Sequence, residues 1–304
     1  MKISDIRNEI LRLKKEKHTC IAAHTYQSQE IKELADFTGD SFALSRKAAS
    51  TDADTVILCG VRFMAESVKL LSPSKTVILA NPSAGCPMAE QFTPEDILRF
   101  RAEHPHAAVV CYINTTNAIK SVCDVVVTSS SAVKIVRALG NKEILFVPDN
   151  NLGSYLADCL PDITVHLIGG CCPIHSRITA ETVAEAKRRH PGAPFLVHPE
   201  CRPEVVAQAD YVGATSGILD FARNLTCSEF IIGTELSVVE QLSFEFPEKH
   251  FYPLSSSLIC PDMRLTTLPD LLGCLRGTHG EKIVLDSATD AGARRAMDRM
   301  LELG

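Results

Sequence analysis

Three Cys-Pro pairs, Cys86-Pro87, Cys172-Pro173 and Cys260-Pro261, divide the chain at intervals of 86 and 88 residues. No two of them can form a local Cys-x-x-Cys clip. If they act together, the fold must bring three distant segments to one place. Three further landmarks keep step with them, as an internal repeat requires. An apolar run ending in polar residues recurs as CIAAHTYQ (20–27), VVCYINTT (109–116) and FLVHPEC (195–201), putting His24, Tyr112 and His198 in register. An Asp followed by an apolar run and a Ser/Thr-rich turn recurs at 35–41, 123–130 and 209–216, with Asp36, Asp124 and Asp210 separated by 88 and 86. A third apolar run, VILCG (56–60), ILFVPD (144–149) and FIIGTE (230–235), precedes a helical segment that stops near Pro73, Pro161 or Pro247, because proline cannot continue a helix.

Each repeat therefore reads β-α-β-α-β-α-β. Its strands are too uniformly apolar to alternate, the pattern of parallel sheet buried on both faces. The expected fold is α/β: three homologous α/β/α units with small parallel sheets around a pseudo-threefold axis. The expected units are 1–85, 86–171 and 172–260, with the tail 261–304 packing back on the first and helical from about Ser287 to Leu303. Helices at 93–105 and 179–191, each opening on a Thr that can cap and ending before His-Pro, link the units, and the N-terminal helix occupies the same place ahead of the first. His104, His106, His190 and His250 fall at predicted helix ends and receive no role.

The formal net charge of −6, with no basic run, excludes the clustered Lys and Arg of a nucleic-acid groove. The charged start MKISDIRNEILRLKKEKH lacks the apolar core of a signal peptide, and no stretch reaches membrane-span length, so the cytoplasm is the expected location. Twelve cysteines in a reducing compartment favour metal or redox use for some of them.

Ligands of open parallel sheets bind beyond the carboxyl ends of the strands. There the repeats carry His24, Tyr26, Tyr112, Asn114, His198 and Glu200 after the first strands, and Ser41, Ser129 and Thr215 after the second. The Cys-Pro pairs follow the fourth. Units facing inward would line one cavity with all of these groups. Three Ser/Thr turns at helix N-termini suit a substrate with several negative charges, although such turns are ordinarily caps. Three thiolates on one centre leave two metal readings open: zinc with a fourth ligand or water, or an iron–sulfur cluster with one open iron acting as a Lewis acid. A purely structural role is the third. Cys171 adjoins the middle ligand, and the register selects Cys172.

The chain resembles the quinolinate synthase family over nearly its whole length. The matching stretches are AHTYQ (23–27), ADFTGDSFALSRKA (35–48), CGVRFMAE (59–66), AGCPMA (84–89), YINTT with Lys120, TSSSAV (128–133), PDNNLG (148–153), GCCPIH (170–175), HPEC (198–201) and IGTE (232–235). The resemblance implies a 4Fe-4S cluster on Cys86, Cys172 and Cys260. It also implies condensation of iminoaspartate with dihydroxyacetone phosphate to quinolinate, phosphate and water, the iminoaspartate coming from an upstream L-aspartate oxidase or aspartate dehydrogenase. The family's active-site positions fall on His24, Tyr26, Ser41, Tyr112, Asn114, Ser129, His175, His198, Glu200 and Thr215. Glu200 and Tyr26 are the expected proton-transfer groups, with His24, His198 and Tyr112 completing the catalytic set. Tyr112, Asn114 and His198 would orient the dicarboxylate, while Ser41, Ser129 and Thr215 would hold carboxylate or phosphate oxygens. His175 could reach either the cluster's surroundings or the substrate.

The sequence departs from the family pattern at Thr25, Arg62, Ser131, Ala214 and Asp262. A paralogue acting on a related dicarboxylate is the alternative these departures raise. A three-cysteine radical enzyme of the diphthamide type and a non-enzymatic iron–sulfur sensor are the other rivals; HPEC, AHTYQ and GVRFMAE favour the synthase.

Overall fold

The computed structural model describes residues 2–304. The first pass of the chain runs α1 (Ile3–Glu16), β1 (Thr19–His24), α2 (Gln29–Lys32), β2 (Phe37–Gly39), α3 (Ser41–Ser50), β3 (Thr55–Cys59), α4 (Arg62–Leu71) and β4 (Thr76–Leu79). The second runs α5 (Pro94–Glu103), β5 (Ala108–Tyr112), α6 (Asn117–Ser121), β6 (Val125–Val127), α7 (Ala132–Leu139), β7 (Glu143–Val147), α8 (Asn150–Cys159) and β8 (Thr164–Leu167). The third runs α9 (Ala180–Arg189), β9 (Phe195–Val197), α10 (Pro203–Val206), β10 (Tyr211–Val212), α11 (Thr215–Asn224), β11 (Glu229–Gly233), α12 (Ser237–Glu245) and β12 (His250–Pro253). The tail adds α13 (Leu268–Arg276), β13 (Glu281–Lys282) and α14 (Ser287–Leu303).

Each pass builds its own parallel sheet with the same strand order, second-first-third-fourth: β2-β1-β3-β4, β6-β5-β7-β8 and β10-β9-β11-β12. The result is the expected α/β fold with three small parallel sheets. Every residue of β1 and β5 is buried, which is why their sequences do not alternate.

The recurring aspartates clamp the first two strands of each sheet together. Asp36, Asp124 and Asp210 accept the backbone N–H of Ile21, Val109 and Phe195 at 2.7, 2.7 and 2.8 Å. Each returns its own N–H to the carbonyl of that same residue. A cation from the preceding long helix secures the turn: Lys14, Arg101 and Lys187 donate to the carbonyls of Leu34, Val122 and Gln208, two residues before each Asp, at 3.0, 3.1 and 2.6 Å. The repeat is thus enforced by hydrogen bonds at equivalent positions as well as by apolar runs.

The tail divides between two sheets. Helix α13 packs on α1, and β13 pairs antiparallel with β4 at the edge of the first sheet. Helix α14, expected on the first unit, lies mainly against α6 and β6 of the second and touches α4 of the first. Gly292 permits this approach, since a Cβ there would come within 2.4 Å of the Ser121 carbonyl oxygen. His250 opens β12, several residues beyond the end of α12. Among the described residues, no helix is long and apolar enough to cross a membrane.

Candidate active site

The strand ends of all three sheets meet around one pocket. His24, Tyr26, Ser41, Tyr112, Asn114, Ser129, His198, Glu200 and Thr215 line it, joined by Asp40, Thr128, Ser130 and the apolar Phe42, Met64, Ile113 and Met263. A second cavity of about 320 Å³ adjoins it. All three Cys-Pro pairs line that cavity, with His175, Arg177 and Glu235. Tyr26, Asn114, Glu200 and Met263 belong to both, so the two cavities share a wall. His175 lies on the cysteine side of that wall.

Equivalent strand ends present equivalent donors. His24 Nδ1 accepts the N–H of Tyr26 at 3.1 Å, and His198 Nδ1 accepts that of Glu200 at 3.3 Å. With Nδ1 so engaged, Nε2 carries the proton of each neutral ring. Burial lowers both imidazoles to about 4, so at neutral pH they are uncharged donors. Tyr112, in the same register, has its phenol pushed well above the ordinary value by burial and then by the nearby Glu200 charge.

Glu200 is the fixed charge in the wall. Burial works to raise its carboxyl, but His198, His175 and the Tyr112 hydroxyl outweigh that and hold it at about 2. Its Oε2 lies 2.9 Å from His175 Nδ1 and 3.8 Å from His198 Nδ1. His175 also faces Cys172 Sγ at 3.3 Å and, through Nε2, the Thr234 hydroxyl at 3.0 Å. The Tyr26 hydroxyl meets Thr215 Oγ1 at 2.8 Å and Thr234 Oγ1 at 3.2 Å, and burial raises this phenol too.

Helices α3 and α11 begin at the pocket with Ser41 and Thr215 as their first residues, aiming N-terminal N–H groups at it. Asp40 caps α3 by accepting the Ala43 N–H at 2.9 Å. Ser131 closes the middle turn, its Oγ accepting the Thr128 N–H at 3.0 Å. Ala214 holds the cap position of α11 and offers no side-chain bond. Among the described residues, the buried Asn114 Oδ1 has no hydrogen-bond partner, leaving an acceptor free in the shared wall.

Buried carboxylates set the cysteine loops. Cys172 donates its N–H to Asp149 Oδ2 at 2.9 Å, and Cys260 donates to Glu235 Oε1 at 3.5 Å. Burial raises the Cys86 thiol to about 12, the Cys260 thiol to about 11 and the Cys172 thiol well above its ordinary range. Thiols so placed ionise only against a cation. Cys171 is not among the cavity-lining residues; its backbone is pinned to the Gln91 amide at 3.0 and 3.2 Å.

Asp40 and Thr128 had a signal in the repeat, since they precede Ser41 and Ser129 and stand 88 residues apart. Thr234 had none, because its counterparts are Pro148 and Gly60. The departures from the family pattern also find places. Arg62 forms a bidentate pair with Glu281 at 2.8 and 2.6 Å, tying α4 to β13. Asp262 opens the 3₁₀ turn after Cys260-Pro261, and Thr25 is buried with its N–H on the Gly39 carbonyl.

Comparison with known proteins agrees with this geometry. The family model described as NadA, quinolinate synthetase A protein, matches residues 8–302. The quinolinate synthase of Caldicellulosiruptor saccharolyticus is 46% identical over 303 residues, covering 100% of both chains. That of Geobacter metallireducens is 45% identical, covering 100% of this chain and 99% of its own. Quinolinate synthase 2 of Methanosarcina acetivorans is 44% identical over 98% of this chain and 96% of its own. With its threefold α/β scaffold, its cysteine cavity and these full-length relatives, the chain belongs to the quinolinate synthase (NadA) family.

Proposed function

We propose that the chain is a quinolinate synthase, condensing iminoaspartate with dihydroxyacetone phosphate to give quinolinate, phosphate and water. The observation that carries this reading is the shared wall: a pocket rich in neutral donors abuts a cavity lined by three cysteines from three sheets. Supply of iminoaspartate by an aspartate oxidase or dehydrogenase, a cytoplasmic location, and the unit boundaries at 85/86, 171/172 and 260/261 belong to the same proposal.

Cys86, Cys172 and Cys260 would hold a 4Fe-4S cluster, and the cavity supports the fit. Ligands of one zinc ion at about 2.3 Å from the metal must lie within roughly 4 Å of one another. Among the described residues, two sets of three ligand atoms lie within 4.8 Å of one another, and the three cysteines are not one of them. A multi-atom centre suits that wider spacing. When bound, the cluster supplies a Lewis acid, through its iron without a cysteine, for an oxygen that must leave as water.

The remaining work falls to side chains. His24 and His198, uncharged donors, and Asn114 bind and orient the dicarboxylate without adding formal charge. Ser41, Ser129 and Thr215 present hydroxyls beside helix N-termini and suit carboxylate or phosphate oxygens. Glu200, ionised and paired with His175, is the proton-transfer group of the wall; held at about 2 it is a weak base, so a proton it takes as the ring forms is passed on at once. Tyr26, a phenol kept protonated by burial, is the proton donor in the same wall.

Anaerobic reconstitution with iron and sulfide, followed by assay with both substrates, tests the proposal. Quinolinate formation in proportion to cluster content is expected. Zinc alone after strictly anaerobic handling would remove the cluster, and an intact cluster without quinolinate would redirect the search to a related dicarboxylate.

A further inference from the structure

Away from both cavities, three side chains of the second sheet converge on one point. His104 caps the end of α5, Glu143 opens β7, and His166 lies in the edge strand β8. Glu143 Oε1 stands 2.7 Å from His104 Nδ1 and 2.8 Å from His166 Nε2, and the three atoms lie within 4.8 Å of one another. None of the three residues lines the substrate pocket or the cysteine cavity. The repeat shows what is particular to this place. In the third unit the equivalent residues are His190, Glu229 and Tyr252, and the histidine ring stacks on the tyrosine with centroids 3.5 Å apart. The strand registers put Tyr252 and, in the first unit, Ile78 where β8 has His166. The fold thus needs no histidine in the fourth strand, yet the second unit completes a set of two imidazoles and a carboxylate.

The surroundings hold this set in place. Buried Phe100 stacks on His104 at 4.4 Å and packs on His166 at 5.2 Å. Lys142, the neighbour of Glu143, is drawn off to Asp162 at 2.9 Å, and among the described residues no Lys or Arg pairs with Glu143. No ammonium therefore competes for the carboxylate. The carbonyl end of α5 adds a preference for positive charge beside His104. His166, His104 and Glu143 are 30%, 32% and 35% exposed, so an ion reaches them from solvent and water can complete its coordination. Two histidines and a glutamate with one open position form a zinc donor set, whose atoms stand about 3.4 Å apart around a tetrahedral ion; opening the observed cluster by roughly 0.6 Å admits it.

The geometry points to a metal site separate from the cysteine cavity: His104 Nδ1, His166 Nε2 and Glu143 Oε1 bind one divalent transition ion, zinc by donor type, with water in the fourth position. Each ring then carries its proton on its other nitrogen. The ion ties the end of α5 to β7 and β8, and it is independent of the reaction proposed above.

Zinc chloride titrated into anaerobically reconstituted protein, freed of loose metal on a chelating resin, tests this, with iron content followed throughout. Calorimetry on the parent is expected to show one zinc bound per chain without loss of iron, and the urea midpoint should rise with zinc. His166→Tyr, which copies the third unit, should weaken zinc binding at least about 100-fold and abolish that rise, since even an outer-shell partner is worth about 10- to 100-fold. Where that change disturbs the edge strand, Glu143→Gln makes the same comparison. His190→Gln, at the equivalent position of the third unit, should bind zinc as the parent does. Absence of zinc binding outside the cysteine cavity, zinc taken up only as iron is lost, or parent-like affinity in both His166→Tyr and Glu143→Gln would each overturn the inference. The first of these would leave two imidazoles sharing one carboxylate by hydrogen bonds alone.

Discussion

Glu200 Oε2 and His175 Nδ1 lie 2.9 Å apart with both side chains shut away from solvent. A buried carboxylate stays ionised only when other groups replace its lost water, and here His198, His175 and the Tyr112 hydroxyl together outweigh the cost of burial. The charge is therefore preorganised before any substrate arrives.

Replacing Glu200 by Gln keeps the shape and removes the base. We expect kcat to fall about 10²- to 10⁴-fold with a much smaller change in KM, the usual range for loss of a general base. Steady-state kinetics at matched iron content measures this. An unchanged kcat would take the base role from Glu200.

The adjacent Cys171 and Cys172 give a sharp comparison. Cys172 lines the cavity, while Cys171 does not and has its backbone bonded to the Gln91 side-chain amide. Cys172→Ala should abolish stable cluster assembly, as should Cys86→Ala and Cys260→Ala, whereas Cys171→Ala should retain the parent's iron and sulfide content. Iron analysis and the visible absorption band after anaerobic reconstitution separate these outcomes.

The aspartate clamps predict stability effects without loss of chemistry. Asp124→Ala removes the acceptor for the Val109 N–H at the start of β5 and the partner of Arg101 at 2.8 Å. A cost of about 1–3 kcal/mol is expected for leaving a strand-end donor unpaired. Urea denaturation should record it with kcat unaltered. Asp124→Asn, which preserves an acceptor oxygen, should recover most of the loss.

These clamps mark how far the sequence can be read. The spacing of Asp36, Asp124 and Asp210 disclosed the repeat, and the repeat located the strand ends where His24, Tyr112 and His198 now stand. Periodicity reports what recurs. Thr234 does not recur, since Gly60 and Pro148 replace it, so only the folded chain reveals its contact with Tyr26. The seat of α14 was hidden for a related reason: it depends on the close approach of Gly292 to Ser121, a fit between surfaces that leaves no periodic trace.

The two pocket histidines predict a pH dependence of folding. His24 and His198 are held by burial to about 4, against roughly 6.5 for an exposed histidine in the unfolded chain. Between those values the unfolded chain binds protons that the folded one refuses. Their contribution to stability is therefore complete above about pH 6.5 and is lost progressively as pH falls toward 4, each histidine weakening folding by about 1.4 kcal/mol per pH unit within that window. Glu200 acts in a lower window: its depressed carboxyl stabilises the fold above the unfolded value and loses that effect as pH falls through about 2. Between pH 7 and pH 5 Asp149, whose carboxyl burial raises to about 7, opposes them by gaining a proton in the fold, and the two histidines together outweigh that one group. Urea denaturation across that range should show stability falling with acidification, and His198→Asn, which keeps a donor but cannot titrate, should make the fall distinctly shallower. Equal slopes for parent and variant would mean that His198 binds its proton as readily in the pocket as in water, and the uncharged-donor role assigned to it would be lost.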